Sequence, residues 1–169
     1  MTPLVLGGDL DVESVTKLVA DLREHSETVA TAESLTGGLL TAVLTSVPGS
    51  SAVVRGGLVV YGTDLKHTLA GVDASLLADV GPVDSQVAVA LAEGARSRCG
   101  ATIGVGLTGV AGPDPQDGKP PGTVHAAVAS PRGRRTSSLR VDGDREQVRA
   151  AAVRAALELV AADIGTLTT

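Results

Sequence analysis

Val12, Val15, Leu18, Val19 and Leu22 fall on one face of residues 11–26 while charged side chains take the other, a spacing that predicts an amphipathic helix. A short strand follows over 28–32, where the chain reads TVATA. The stretch TAESLTGGLL, 31–40, then passes from strand end through a Ser/Thr/Gly turn into a helix with Leu39, Leu40, Val43 and Leu44 as its apolar positions. That helix stops before VPGSS at 47–51. A Val-rich strand over 52–61 is interrupted by Gly56 and Gly57, which suggests a bulge or a close backbone approach. Thr63 or Asp64 caps a short helix ending at Gly71, a second covers 74–80, and Asp84 or Ser85 caps a longer one over 86–99. Residues 101–107 read as a buried strand leading into TGVAGPDPQDGKPPG, 108–122, a loop too long and too rich in Pro and Gly to be a simple connector. Strands at 123–130 and 136–141, joined by a turn over 131–134, predict an antiparallel hairpin, and a last helix starts near Asp144.

Helices alternating with strands, followed by a hairpin, predict an α/β fold: a single-domain three-layer α/β/α sandwich with a mixed sheet over residues 1–169, with 1–10 as an N-terminal tail. Composition sharpens this. With 43% hydrophobic residues the chain can build a core, but it has no Phe and no Trp, so Val, Leu and Ala must fill it. Tyr61 is the only aromatic residue. A net charge of -5 and the lack of stacking platforms argue against nucleic acid as a partner and favour a small molecule. The single cysteine, Cys99, excludes an intramolecular disulfide and a cysteine-based metal site and fits a reducing cytoplasm. No apolar run has the length of a membrane span and the N-terminus does not read as a signal peptide, so the expected location is cytoplasmic, away from membranes. The Val-rich edge makes pairing as a homodimer a further expectation.

Several motifs mislead. Gly104, Gly106 and Gly109 spell G-x-G-x-x-G after a strand, but Pro113, Asp114 and Pro115 stand where a dinucleotide fold needs a helix to begin. Residues 112–119 imitate a P-loop with one residue too many, and Pro120 replaces the required hydroxyl. Ser14 and Lys17 match a Ser-x-x-Lys pattern yet sit on the polar face of the first helix. Asp114 and Asp117 read as solvated turn residues, and His25, His67 and His125 have no paired spacing, so no metal is expected. Only His67, beside Lys66, invites interest.

The chemistry concentrates in the turn at 33–38. A strand-to-helix turn of this composition gathers hydroxyls and backbone N–H groups where an anionic or carbonyl-bearing ligand can sit. Ser34 is the leading candidate for a reacting group, against an ordinary role as a helix-capping serine.

The segment AESLTGGLLTAVLTSVPGSSAVVRGGLVVYGTDLK, with the later DSQVAVALAEGAR, TGVAGP and PGTV, resembles the C-terminal domain of the competence/damage-inducible CinA proteins, in register over about 28–160. The resemblance implies an α/β/α domain that hydrolyses the carboxamide of nicotinamide mononucleotide to nicotinic acid mononucleotide and ammonia, with no metal or other cofactor. It also implies that the phosphohydrolase domain of longer CinA proteins, and its activity, are absent. Many relatives have Cys where this chain has Leu35, which is taken as packing. Carried over by position, the resemblance puts the nucleophile at Ser34, the conserved lysine at Lys66 and the tyrosine at Tyr61. Without a plausible histidine partner for Ser34, Lys66 is the best available base, in the manner of Ser-Lys variants of the catalytic triad. An ordinary lysine is about 3 pH units too basic for that role, a cost of about 4 kcal/mol unless burial or a nearby cation helps, and the substrate's pyridinium is one such cation. Tyr61 would relay a proton or face the pyridinium, or be a strand-end residue with a buried ring. N–H groups around Thr36, Gly37 and Gly38 would bind either the oxyanion or the phosphate. Glu33 would hold Lys66 or a ribose hydroxyl, or cap a neighbouring element. Thr108, Gly109, Ala111 and Gly112 look like a second ligand loop, and Arg145, placed against the helix dipole in the last helix's first turn, is a candidate for the substrate phosphate. A non-catalytic nucleotide-binding domain of the same fold is the alternative.

Overall fold

A computed structural model describes residues 10–165. Its helices are α1 (Val12–Glu24), α2 (Leu39–Thr45), α3 (Thr63–Thr68), α4 (Ala74–Val80), α5 (Ser85–Cys99) and α6 (Arg145–Asp163), and its strands β1 (Val29–Glu33), β2 (Val54–Val59), β3 (Ile103–Gly109), β4 (Thr123–Ser130) and β5 (Gly133–Arg140). The strands form one sheet in the order β2-β1-β3-β4-β5. β1 runs parallel to both β2 and β3, whereas β4 and β5 are antiparallel additions, so the sheet is mixed as expected. Most of the N-terminal tail expected over 1–10 lies outside the described residues; Leu10 packs against the core.

The two faces of the sheet are built differently. Val29, Ile103, Val105, Leu107, Val124 and Val128 project toward α1, α2 and α6 and form the larger apolar cluster with Leu18, Leu22, Leu40, Leu44 and Val153. Alternate positions, Ala30, Ala32, Ala127 and Ala129, face α5 and its neighbours. A Cβ at Gly104 or Gly106 would run into the carbonyl oxygens of Ala92 and Ala88, so these glycines let α5 lie close against β3. The G-x-G pattern is therefore a helix–sheet packing device. A core without Phe or Trp closes because one of its layers is thin.

Local differences from the sequence reading have simple causes. The strand expected over 52–61 begins at Val54, after one turn of 3-10 helix at Ser50–Ala52. Its irregularity lies at Arg55, which the register skips between Val54 and Gly56, and the close approach is at Gly57, whose Cβ would sit 2.6 Å from Thr31 Oγ1. The hairpin turn is tighter than expected: Ser130 already pairs with Gly133, whose positive φ of 121° carries the chain straight back into β5. Lys17 pairs with Asp21 at 2.6 Å on the surface of α1, and Ser14 Oγ donates to Asp11, the helix's N-cap. Among the described residues no helix is long and apolar enough to cross a membrane.

Candidate active site

Parallel pairing of β1 with β2 sets the site. Glu33 stands opposite Val59, so the chain leaving β1 at Ser34 and the chain leaving β2 at Val60 and Tyr61 emerge side by side. α3 starts just beyond and turns Lys66 back under this edge, where only 1% of the residue is exposed. Lys66 Nζ lies 3.0 Å from Ser34 Oγ, 2.8 Å from the Val60 carbonyl and 3.5 Å from the Tyr61 carbonyl. No carboxylate pairs with it among the described residues. Burial therefore lowers its pKa from 10.5 to about 8, against a weaker upward pull from Asp64. The two carbonyls accept from two N–H groups, which leaves the lone pair of a neutral amine facing the Ser34 hydroxyl.

Glu33 is equally buried and turned the other way. Its carboxylate accepts from the N–H groups of Gly38, Leu40 and Thr41 and from the hydroxyls of Thr41 and Thr31. α2 has a glycine at its N-cap and no side-chain cap of the usual kind, so Glu33 does that work from the end of β1. Of the options in the sequence reading, the geometry corresponds to the cap. Gly37 N–H is likewise engaged, by the Ser34 carbonyl at 3.0 Å. The N–H groups of Leu35 and Thr36 have no acceptor among the described residues. The Thr36 hydroxyl is fully buried and also lacks a partner.

Ser34 and Lys66 open onto a cavity of about 420 Å³ that also takes in Tyr61, Thr108, Gly109, Ala111, Gly112 and Arg145. These residues come together from four separate segments. Glu33, Thr36, Gly37 and Gly38 are not among those that line it. Thr108 Oγ1 donates to the Pro82 carbonyl at 2.7 Å and so fixes Pro82 and Val83 in the wall. Tyr61, whose ring was expected to be buried in one reading, is 60% exposed as a residue. Arg145 donates to the Tyr61 hydroxyl at 3.1 Å and to the Gly112 carbonyl at 2.8 Å, joining the two sides of the mouth. Leu35 packs in the core at 4% exposure. His67 holds the Val72 carbonyl through Nδ1, away from the cavity.

Sequence reasoning gave no site role to Pro82, Val83, Asp114 or Arg149. Pro82 and Val83 gave no signal beyond a helix end, and Asp114, read as a solvated turn residue, sits at the cavity's edge. Arg149, on α6, donates to the carbonyls of Leu35 at 3.2 Å and Thr36 at 2.9 Å. A cation near the start of a helix was the one hint available.

Fold and site together define an α/β/α domain that carries a buried serine–lysine pair where its parallel strands end. The family model for the CinA C-terminal domain matches residues 12–164. The chain is 51% identical over 154 residues to a CinA-like protein of Frankia casuarinae, covering 91% of this chain and 35% of that protein. A CinA-like protein of Acidobacterium capsulatum is 47% identical over 140 residues, covering 82% of this chain and 34% of that one. The chain thus spans about a third of the length of these curated relatives. Among solved structures, the competence/damage inducible protein CihA of Agrobacterium tumefaciens superposes with a TM-score of 0.86 at 39% identity, covering 90% of this chain and 94% of that one. A CinA superfamily protein of Klebsiella pneumoniae gives 0.87 at 30% identity, with 92% and 98% covered. This chain belongs to the CinA C-terminal domain family.

Proposed function

We propose that the domain is an amidohydrolase that converts nicotinamide mononucleotide to nicotinic acid mononucleotide and ammonia, with Ser34 as nucleophile and Lys66 as base. The observation that carries the reading is the buried Lys66 amine, 3.0 Å from Ser34 Oγ and lowered to about 8. At pH 7 the neutral form then costs only about 1.4 kcal/mol instead of about 5. Ser34 Oγ attacks the carboxamide carbon as its proton passes to Lys66 Nζ. The C–N bond of the tetrahedral intermediate breaks as Lys66 returns that proton to the departing ammonia. Water then attacks the Ser34 ester, Lys66 again moving the proton, and releases the carboxylate with Ser34 restored. The unpartnered N–H group of Leu35, next to the nucleophile and among the residues that line the cavity, is suited to the oxyanion. Arg145 binds neutral acceptors only, which leaves its charge for the nucleotide's phosphate, and the exposed Tyr61 ring is suited to a cationic pyridinium.

The test is ammonia release from nicotinamide mononucleotide by the purified chain. Ser34→Ala and Lys66→Ala, each confirmed folded, are expected to lower turnover by about a thousandfold or more. Saturable binding of the nucleotide without turnover would replace the enzyme with a binding domain. Turnover surviving Ser34→Ala would overturn the nucleophile assignment.

A further inference from the structure

Arg149 is half-buried, has no acidic partner among the described residues, and directs its guanidinium at two consecutive carbonyls in the turn after Ser34. An arginine held among neutral acceptors is an unusual investment of charge unless the groups it holds matter. Each carbonyl shares a peptide plane with the next residue's N–H. The Leu35 carbonyl belongs to the peptide that carries the Thr36 N–H, and in a trans peptide the two point in opposite directions. The Ser34 carbonyl, in the peptide that carries the Leu35 N–H, is taken by Gly37 N–H at 3.0 Å. The Thr36 carbonyl belongs in turn to the peptide that carries this Gly37 N–H, while the N–H groups of Leu35 and Thr36 have no acceptor among the described residues.

We propose that Arg149 is a positioning residue: by clamping the Thr36 carbonyl it fixes the Gly37 peptide, whose N–H holds the Ser34 carbonyl, and so keeps the cavity-lining Leu35 N–H as the oxyanion site for a tetrahedral adduct on Ser34. The clamp also acts electronically, because a charged donor on the carbonyl of a peptide polarises it and strengthens its N–H as a donor. Glu33 fixes the far end of the same turn through Gly38 N–H at 3.1 Å, so the turn is anchored by an anion at one end and a cation at its middle. Arg149 reaches the turn from α6, more than a hundred residues away in sequence, without touching the reacting atoms. The assignment rests on Ser34 as nucleophile but not on the identity of the amide.

The experiment measures phenylboronic acid, which becomes tetrahedral on an activated serine, against nicotinic acid mononucleotide, a planar ground-state ligand, in wild type, Arg149→Met and Arg149→Lys. Circular dichroism and Tm establish that each variant is folded. Arg149→Met is expected to weaken boronate binding by about 100-fold and to lower kcat similarly, with KM and nucleotide binding within about twofold of wild type. Arg149→Lys, which keeps the charge but offers a single donor centre, is expected to fall between. Equal weakening of boronate and nucleotide, or none of either, would overturn the assignment, as would failure of wild type to bind boronate at all. If wild type does not hydrolyse nicotinamide mononucleotide yet its boronate binding depends on Arg149, the proposed substrate fails and the oxyanion assignment stands.

Discussion

Glu33 and Lys66 are both ionisable side chains with 1% of their surface exposed, and both lie against the turn that carries Ser34, yet their surroundings differ in kind. Donors from α2 and two threonines meet the Glu33 carboxylate from several directions. Lys66 meets a hydroxyl and two backbone carbonyls, groups that accept a proton donor but supply no balancing charge. A buried carboxylate fully met by N–H groups is a structural pin. A buried amine met only by neutral oxygens can give up its proton within the physiological range, and so can do chemistry. Placing the two at neighbouring points pins the turn that carries Ser34 while leaving the Lys66 amine able to change its protonation state.

That contrast breaks first under stability measurements. Glu33→Gln sets an amide donor against the donors of α2 and is expected to destabilise the fold by about 3 kcal/mol in denaturant titration. A near-neutral result would remove the pin. Lys66→Met tests the other half through pH. The folded-state pKa of Lys66, about 8, lies below its ordinary 10.5, so between these values the unfolded chain holds more protons and folding gains stability as pH rises. Wild type should therefore gain about 3 kcal/mol on Lys66→Met from pH 8 to 10.5, the penalty being fully present below that window. A pH-independent gap would mean that the amine is not desolvated. Thr36→Val removes a buried hydroxyl that has no partner and is expected to stabilise the fold by about 1 kcal/mol, read as a higher Tm. The smallest effect is expected from Asp64→Asn. Removing the carboxylate that raises Lys66 should move the acidic limb of kcat/KM to lower pH, and the limb of kcat in wild type should also lie below that of kcat/KM if a pyridinium binds beside the amine.

The layered fold was readable because its signals are local. Helical spacing from Val12 to Leu22 and the helix starts read at Asp84 and Asp144 mark elements that formed where they pointed. Ser34 and Lys66 were legible from residue type and resemblance, and their meeting follows from β1 and β2 being parallel neighbours. The work of Glu33 was harder to see, because a capping acid normally stands at the N-cap and this one reaches its helix from the preceding strand. The partners of Arg149 and Pro82 could not be read for a different reason. Their contacts, to Leu35 and Thr108, join segments distant in sequence, and no periodicity or cap encodes them. Gly104 and Gly106 show the converse: the pattern was legible, but its cause is the closeness of α5 to the sheet.

The lone aromatic has a practical consequence. Tyr61 stands at the cavity's mouth with 60% of its surface exposed, and the chain contains no Phe or Trp. Near-ultraviolet absorbance and intrinsic emission of the unlabelled protein therefore originate at the candidate site alone, so a ligand that reaches Arg145 or stacks on the ring should register optically without any introduced fluorophore. The same economy blinds those wavelengths to the core, whose melting has to be followed through the amide bands instead.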